Sequence, residues 1–81
     1  MLQATVLSPQ EVLFSGRAQR VILPGEEGVF EVCPFHKPII SRLLSGFIIV
    51  DAQTFSIQRG VVHVAQDVLT AIVEPELAST P

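Results

Sequence analysis

The chain has no tryptophan, no tyrosine and a single cysteine. One cysteine, Cys33, rules out an internal disulfide and supplies too few thiolates for a zinc knuckle. Basic residues are equally sparse. The five are scattered as Arg17, Arg20, Lys37, Arg42 and Arg59, on a chain of formal net charge −3. Phosphate recognition needs a clustered basic footprint, so a nucleic-acid partner is not expected. Long apolar runs are also missing. "FIIV" at 47–50 falls far short of the ~20 residues a membrane-spanning helix requires, so no direct membrane insertion is expected. The opening "MLQATVLSPQ" has neither a basic region nor an apolar core of the secretory kind. A soluble chain inside the cell is expected, working beside a membrane only through a partner.

What remains is a small apolar body. Its 81 residues suffice for one domain, which should bury about 63% of the unfolded surface. Hydrophobic residues make up 48% and charged residues only 16%, against about 25% in an average soluble domain. With so few charges, some apolar surface should lie outside the core, and contiguous surface of that kind marks a partner site.

Helical periodicity is scarce. β-branched and aromatic runs alternate with turn formers, giving expected strands at 2–8, 11–14, 17–23, 28–32, 47–50, 55–58, 61–65 and 68–73. One helical turn is conceivable over 39–44, between Pro38 and Gly46. Strand starts this frequent indicate an all-β, two-sheet β-sandwich of about ten short strands. The domain is expected to span 1–75, with a polar, flexible tail over 76–81. The runs 61–65 and 68–73 are apolar on both faces. A sandwich strand has one inner face, so the other face should meet another protein, with self-association of the isolated chain a second way to cover it.

The chemistry-bearing residues crowd into "LPGEEGVFEVCPFHKP", 23–38. Cys33 and His36 have the side chains of a thiolate and its base, but Pro34 lies between them and no third group orients them. A lone cysteine in a strand reads more simply as a small buried hydrophobe. Cys33, His36 and His63 are too few, and too loosely spaced, for a structural zinc site. Glu26 and Glu27 form an acid–base pair on paper, yet residues of a turn usually stand in water. "PGEEG" lacks a phosphate-loop lysine and would repel a phosphate. No catalytic, cofactor-binding or metal site is therefore expected. Two other readings stay open from the residues alone. One is a free-standing β-sandwich adaptor. The other is a biotinyl- or lipoyl-like carrier, for which Lys37 is the sole lysine.

Three landmarks in register carry a resemblance: "LSP…LFSG" (7–16), "LPGEEGVF…P.HKPII" (23–40) and "IQRGVVHV…VLTAIVE" (57–74). Together they cover nearly the whole chain, and they resemble the amino-terminal domain of the epsilon subunit of rotary F-type ATP synthase (delta in mitochondria). Glu31, Phe35 and Lys37 depart from that pattern, Phe35 standing where the family has glycine or asparagine. Arg59 and Val61 also differ. Val29 replaces a position acidic in some relatives. It lies two residues from Glu31 on an expected strand, hence on the same side and about 7 Å away. The comparison with that pattern implies a carboxylate displaced by one pleat rather than lost. The family's carboxy-terminal helical hairpin is not expected within these 81 residues.

The resemblance implies a non-catalytic rotor subunit at the foot of the central stalk, fastening the gamma subunit to the c-ring on the cytoplasmic face of a bacterial inner membrane. It assigns Glu26, Glu27, Glu31 and Phe35 to the c-ring contact, and Ser8, His36 and Ser41 to the gamma contact. It implies no cofactor.

Overall fold

The computed structural model describes residues 1–76. Eight strands follow in chain order: β1 (Leu2–Leu7), β2 (Val12–Ala18), β3 (Val21–Gly25), β4 (Gly28–Val32), β5 (Ile39–Leu43), β6 (Gly46–Val50), β7 (Gln53–Ala65) and β8 (Val68–Pro75). The all-β expectation holds, with eight strands in place of ten. The expected tail lies almost wholly outside the described residues.

Three local differences have physical causes. Residues 39–43 are extended rather than helical, since β5 pairs along its whole length with β7, from Ile39↔Val64 to Leu43↔Gly60. Ser15-Gly16 does not end a strand but continues β2 against β1. The break falls instead at Gln19-Arg20, where the Asp51 carboxylate accepts both backbone N–H groups, at 3.0 and 3.1 Å.

The largest difference is β7, which unites the expected strands 55–58 and 61–65. Its inward residues change parity, from Ile57 to Val62 and Val64. A register shift makes this possible: Ile57 faces Pro75 while Arg59 faces Glu74, so Gln58 is an extra residue. Such a bulge re-aims every side chain beyond it. Gly60 follows immediately. A Cβ there would sit 2.7 Å from the Ile72 carbonyl oxygen, so only glycine lets the two strands approach.

The ladder runs β2-β1-β8-β7-β5-β3-β4, with β6 beside β3 and β7. All pairs are antiparallel except β1–β8. All eight strands contribute buried side chains to one cluster, from Leu2, Ala4 and Val6 on β1 to Leu69, Ala71 and Val73 on β8. A single ladder can feed one core from all its strands only by folding over on itself, which makes the two layers of a sandwich. Each fully buried Leu, Ile or Val contributes roughly 1.5–3 kcal/mol. No aromatic ring is fully buried; Phe14 and Phe55 meet edge to face at the margin, 6.4 Å between centroids.

The outer face is less well covered. Leu7 pairs with Val12 and Ile72, and Ile72 pairs with Val61. These four form one row across β2, β1, β8 and β7, with Val12, Ile72 and Val61 at 60%, 54% and 45% exposure. The second face of 61–65 and 68–73 is thus bare among the described residues.

Candidate partner interface

β3 and β4 close on a two-residue turn, Gly25 facing Gly28, that carries Glu26 and Glu27 into solvent. Pro24 and Gly25 are buried. The Pro24 carbonyl accepts the Leu44 N–H at 2.8 Å, tying the hairpin to the β5–β6 turn. Gly25 has no room for a side chain, because its Cβ would lie 2.7 Å from the Phe30 ring. Glu26 approaches Arg42 at 3.8 Å, both well exposed, a pair worth at most about 1 kcal/mol. Glu27 has no ion pair among the described residues. An open groove of about 470 Å³ runs beside this hairpin and is closed on the far side by Ile39, Ile40 and Ser41.

On β4, Val29 and Glu31 are both exposed, while Phe30 and Val32 turn toward the core. They share a side, as their spacing predicts. The Glu31 carboxylate lies 3.5 Å from Arg20.

Beyond β4 the chain makes a second, different turn. The His36 N–H donates to the Cys33 carbonyl at 3.2 Å, with Pro34 and Phe35 between them. Proline second and a left-handed φ of 68° third are the marks of a type II turn. The third position favours glycine, and a bulky residue there costs about 1–2 kcal/mol. Phe35 is nonetheless 93% exposed. Its N–H donates at 2.7 Å to the carboxylate of Asp67, which lies in the β7–β8 turn, 32 residues away in the chain. His36 Nδ1 lies 2.7 Å from the Lys37 carbonyl oxygen. A carbonyl only accepts, so Nδ1 is the protonated nitrogen.

Cys33 is exposed and lies just past β4, so it is not the buried hydrophobe a strand position suggested. His63 projects from the outer face opposite Ile40 and Thr70. Among the described residues no three His, Cys, Asp or Glu side chains group closely enough to hold a metal ion. Lys37 follows the Cys33–His36 turn in irregular chain, not at a hairpin tip where a carrier presents its lysine.

The seven residues of the two expected contacts are not grouped as assigned. Glu26, Glu27 and Ser41 border one groove. Phe35 and His36 stand at the opposite end of β4, about 14 Å from the acidic turn at ~3.4 Å per residue. Ser8 is only 4% exposed. Its hydroxyl accepts the N–H groups of Gln10 and Glu11, both at 3.2 Å, and so shapes the β1–β2 loop. Sequence reasoning missed Asp51 and Asp67, because each acts on backbone more than thirty residues away. It also missed a wider open groove of about 1160 Å³, between Arg42, Leu44, Arg59 and Ile72.

Residues 1–76, the entire described body, match the family model for the ATP synthase delta/epsilon chain β-sandwich domain. The chain belongs to that family. Among ATP synthase epsilon chains, that of Maricaulis maris is 37% identical over 82 residues, covering 95% of this chain and 61% of its own length. That of Bordetella avium is 47% identical over 45 residues, covering 56% of this chain and 32% of its own. The chain thus matches 61% and 32% of those two relatives' own length. Its fold matches a chain in the Euglena gracilis mitochondrial ATP synthase structure containing OSCP, F1 and c-ring. The TM-score is 0.81 at 18% identity, covering 89% of this chain and 49% of that one. A chain of the Tetrahymena thermophila central stalk and c-ring matches at 0.74 and 16% identity, over 90% and 63%. At those identities the likeness speaks for the fold.

Proposed function

We propose that this chain is the central-stalk β-sandwich of an F-type ATP synthase, fastening the gamma subunit to the c-ring and carrying torque without catalysing a reaction. The observation that carries the reading is the bare apolar row Val12–Leu7–Ile72–Val61 on a member of this family. A chain held permanently in an assembly tolerates such a surface; a free one exposes it to aggregation.

Two tips complete the fastening. The acidic turn, with Glu26 and Glu27 and with Glu31 further along β4, meets cationic groups on the polar loops of the ring. His36, at its turn, and Ser41, on the β5 side of the groove, face gamma, and Ser8 acts through the β1–β2 loop that it shapes. Phe35 joins His36 on the gamma side, because the two share one turn and the acidic hairpin lies at the other end of β4. Turns stiffened by Pro34 and Pro38 lose little entropy on docking. The chain itself is peripheral, held through the complex at the cytoplasmic face of a bacterial inner membrane, and the complex draws on a proton or sodium gradient.

The test is co-purification of the tagged full chain from detergent-solubilised membranes. Gamma and c subunits, identified by mass, are expected in stoichiometric amounts. A chain recovered without gamma would sink the reading.

A further inference from the structure

Three non-glycine residues with left-handed backbone meet at one corner of the sandwich: Phe35 at φ 68°, Gln66 at 52° and Asp67 at 61°. Asp67 joins them. Its carboxylate accepts the Phe35 N–H at 2.7 Å, and its carbonyl accepts the Gln3 N–H at 2.8 Å. Phe35 therefore bears two costs together, a strained backbone and a ring that is 93% exposed. Strain of this kind persists where the surroundings over-determine it, and it clusters at clamps for binding partners.

We infer that Phe35 is an aromatic anchor which Asp67, as its positioning residue, holds out to enter an apolar pocket on a folded protein neighbour. That neighbour is the gamma subunit, so the identity of the occupant rests on the function proposed above. The Phe35 ring stands 93% exposed, so this chain supplies the knob and the partner the hole. The charge around the ring narrows the pocket further. The cationic Lys37 follows two residues on in the chain, Glu31 is engaged by Arg20, and the Asp67 carboxylate is turned onto the backbone. A pocket with a carboxylate at its rim fits best. A lipid surface fits poorly, since a single ring on a chain of net charge −3 is repelled by anionic headgroups.

The experiment titrates purified gamma subunit into the full chain and into three variants. Phe35→Gly relaxes the turn and leaves the fold intact, but weakens gamma binding at least about ten-fold, as expected for a buried aromatic anchor. Asp67→Gly keeps its own turn relaxed but removes the acceptor; binding weakens by roughly three- to ten-fold through lost pre-organisation. Asp67→Asn keeps an acceptor oxygen and restores binding to within about two-fold. Hydrogen exchange of the Phe35 amide, read without gamma, rises in Asp67→Gly and stays protected in Asp67→Asn.

Undiminished gamma binding by Phe35→Gly overturns the anchor. Equal amide exchange in all Asp67 forms overturns the positioning role. Phe35-dependent sedimentation with anionic phosphatidylglycerol vesicles assigns the ring to lipid instead and overturns the inference. Failure of the unsubstituted chain to bind gamma is a separate outcome, and overturns the rotor reading and the named occupant with it.

Discussion

The acidic hairpin and the Phe35 turn sit at the two ends of β4 and solve the same problem in opposite ways. The hairpin is built from glycine. Gly25 lets the Phe30 ring lie against its backbone, and Gly28 takes up a φ of 119°. Its charges are almost idle in the fold, with one long exposed ion pair at Glu26. The other turn puts a phenylalanine where glycine would be relaxed, and a carboxylate from a distant strand turn holds it there. A tip that offers charge needs only to be presented. A tip that offers an aromatic ring must also be kept from folding it away.

That contrast can be broken by substitution, most forcefully at Gly25. Gly25→Ala puts a methyl group 2.7 Å from the Phe30 ring and 3.1 Å from the Gly28 carbonyl oxygen. We expect a loss of about 2–3 kcal/mol in urea unfolding, the usual cost of overpacking a tight site. A loss below about half of that lowest value would mean the ring is not what fixes the hairpin.

Gly28→Ala sharpens the comparison, because an added Cβ meets no atom within 4 Å and only the backbone conformation is tested. A loss of about 1–2 kcal/mol is expected. The mirror change, Phe35→Gly, should alter stability by no more than about 1 kcal/mol, since relieved strain is offset by greater unfolded-state entropy. Equal losses in both variants would erase the distinction between a relaxed and a strained tip.

The smallest effect belongs to Glu26→Gln. Removing an exposed pair with Arg42 should change the unfolding free energy by less than about 0.5 kcal/mol. What should change is the salt dependence of association with the c-ring, which flattens when a rim charge is lost. A stability loss above about 1 kcal/mol would show that the charge serves the fold.

Much of the architecture was legible from spacing alone. Alternating Leu2, Ala4 and Val6, and again Leu69, Ala71 and Val73, announce their strands and their inner faces. The doubled apolar faces of 61–65 and 68–73 announce the bare row. β7 was not legible as one strand, because a bulge at Gln58 reverses its alternation and mimics a break. The strand expected to end at Leu23 runs on through Pro24 and Gly25, both buried in β3, and Glu26-Glu27 form the turn. Cys33 looked like core because it follows a strand pattern by one residue, enough to place it in solvent.

The candidate contact residues were legible as types but not as a constellation. Local chemistry makes Glu26, Glu27 and Phe35 conspicuous, and their order in the chain makes them look adjacent. Five strand residues of β4 separate them, and that distance emerges only when the hairpin is extended.

By itself the sequence determined an all-strand body too poor in charge to cover itself, because period-two alternation and composition act locally. Only the tertiary structure decided which outward rows are bare and which loops are clamped. Those depend on pairings such as Leu7 with Ile72 and on bonds such as Asp67 to Phe35, made between residues that the chain itself keeps far apart.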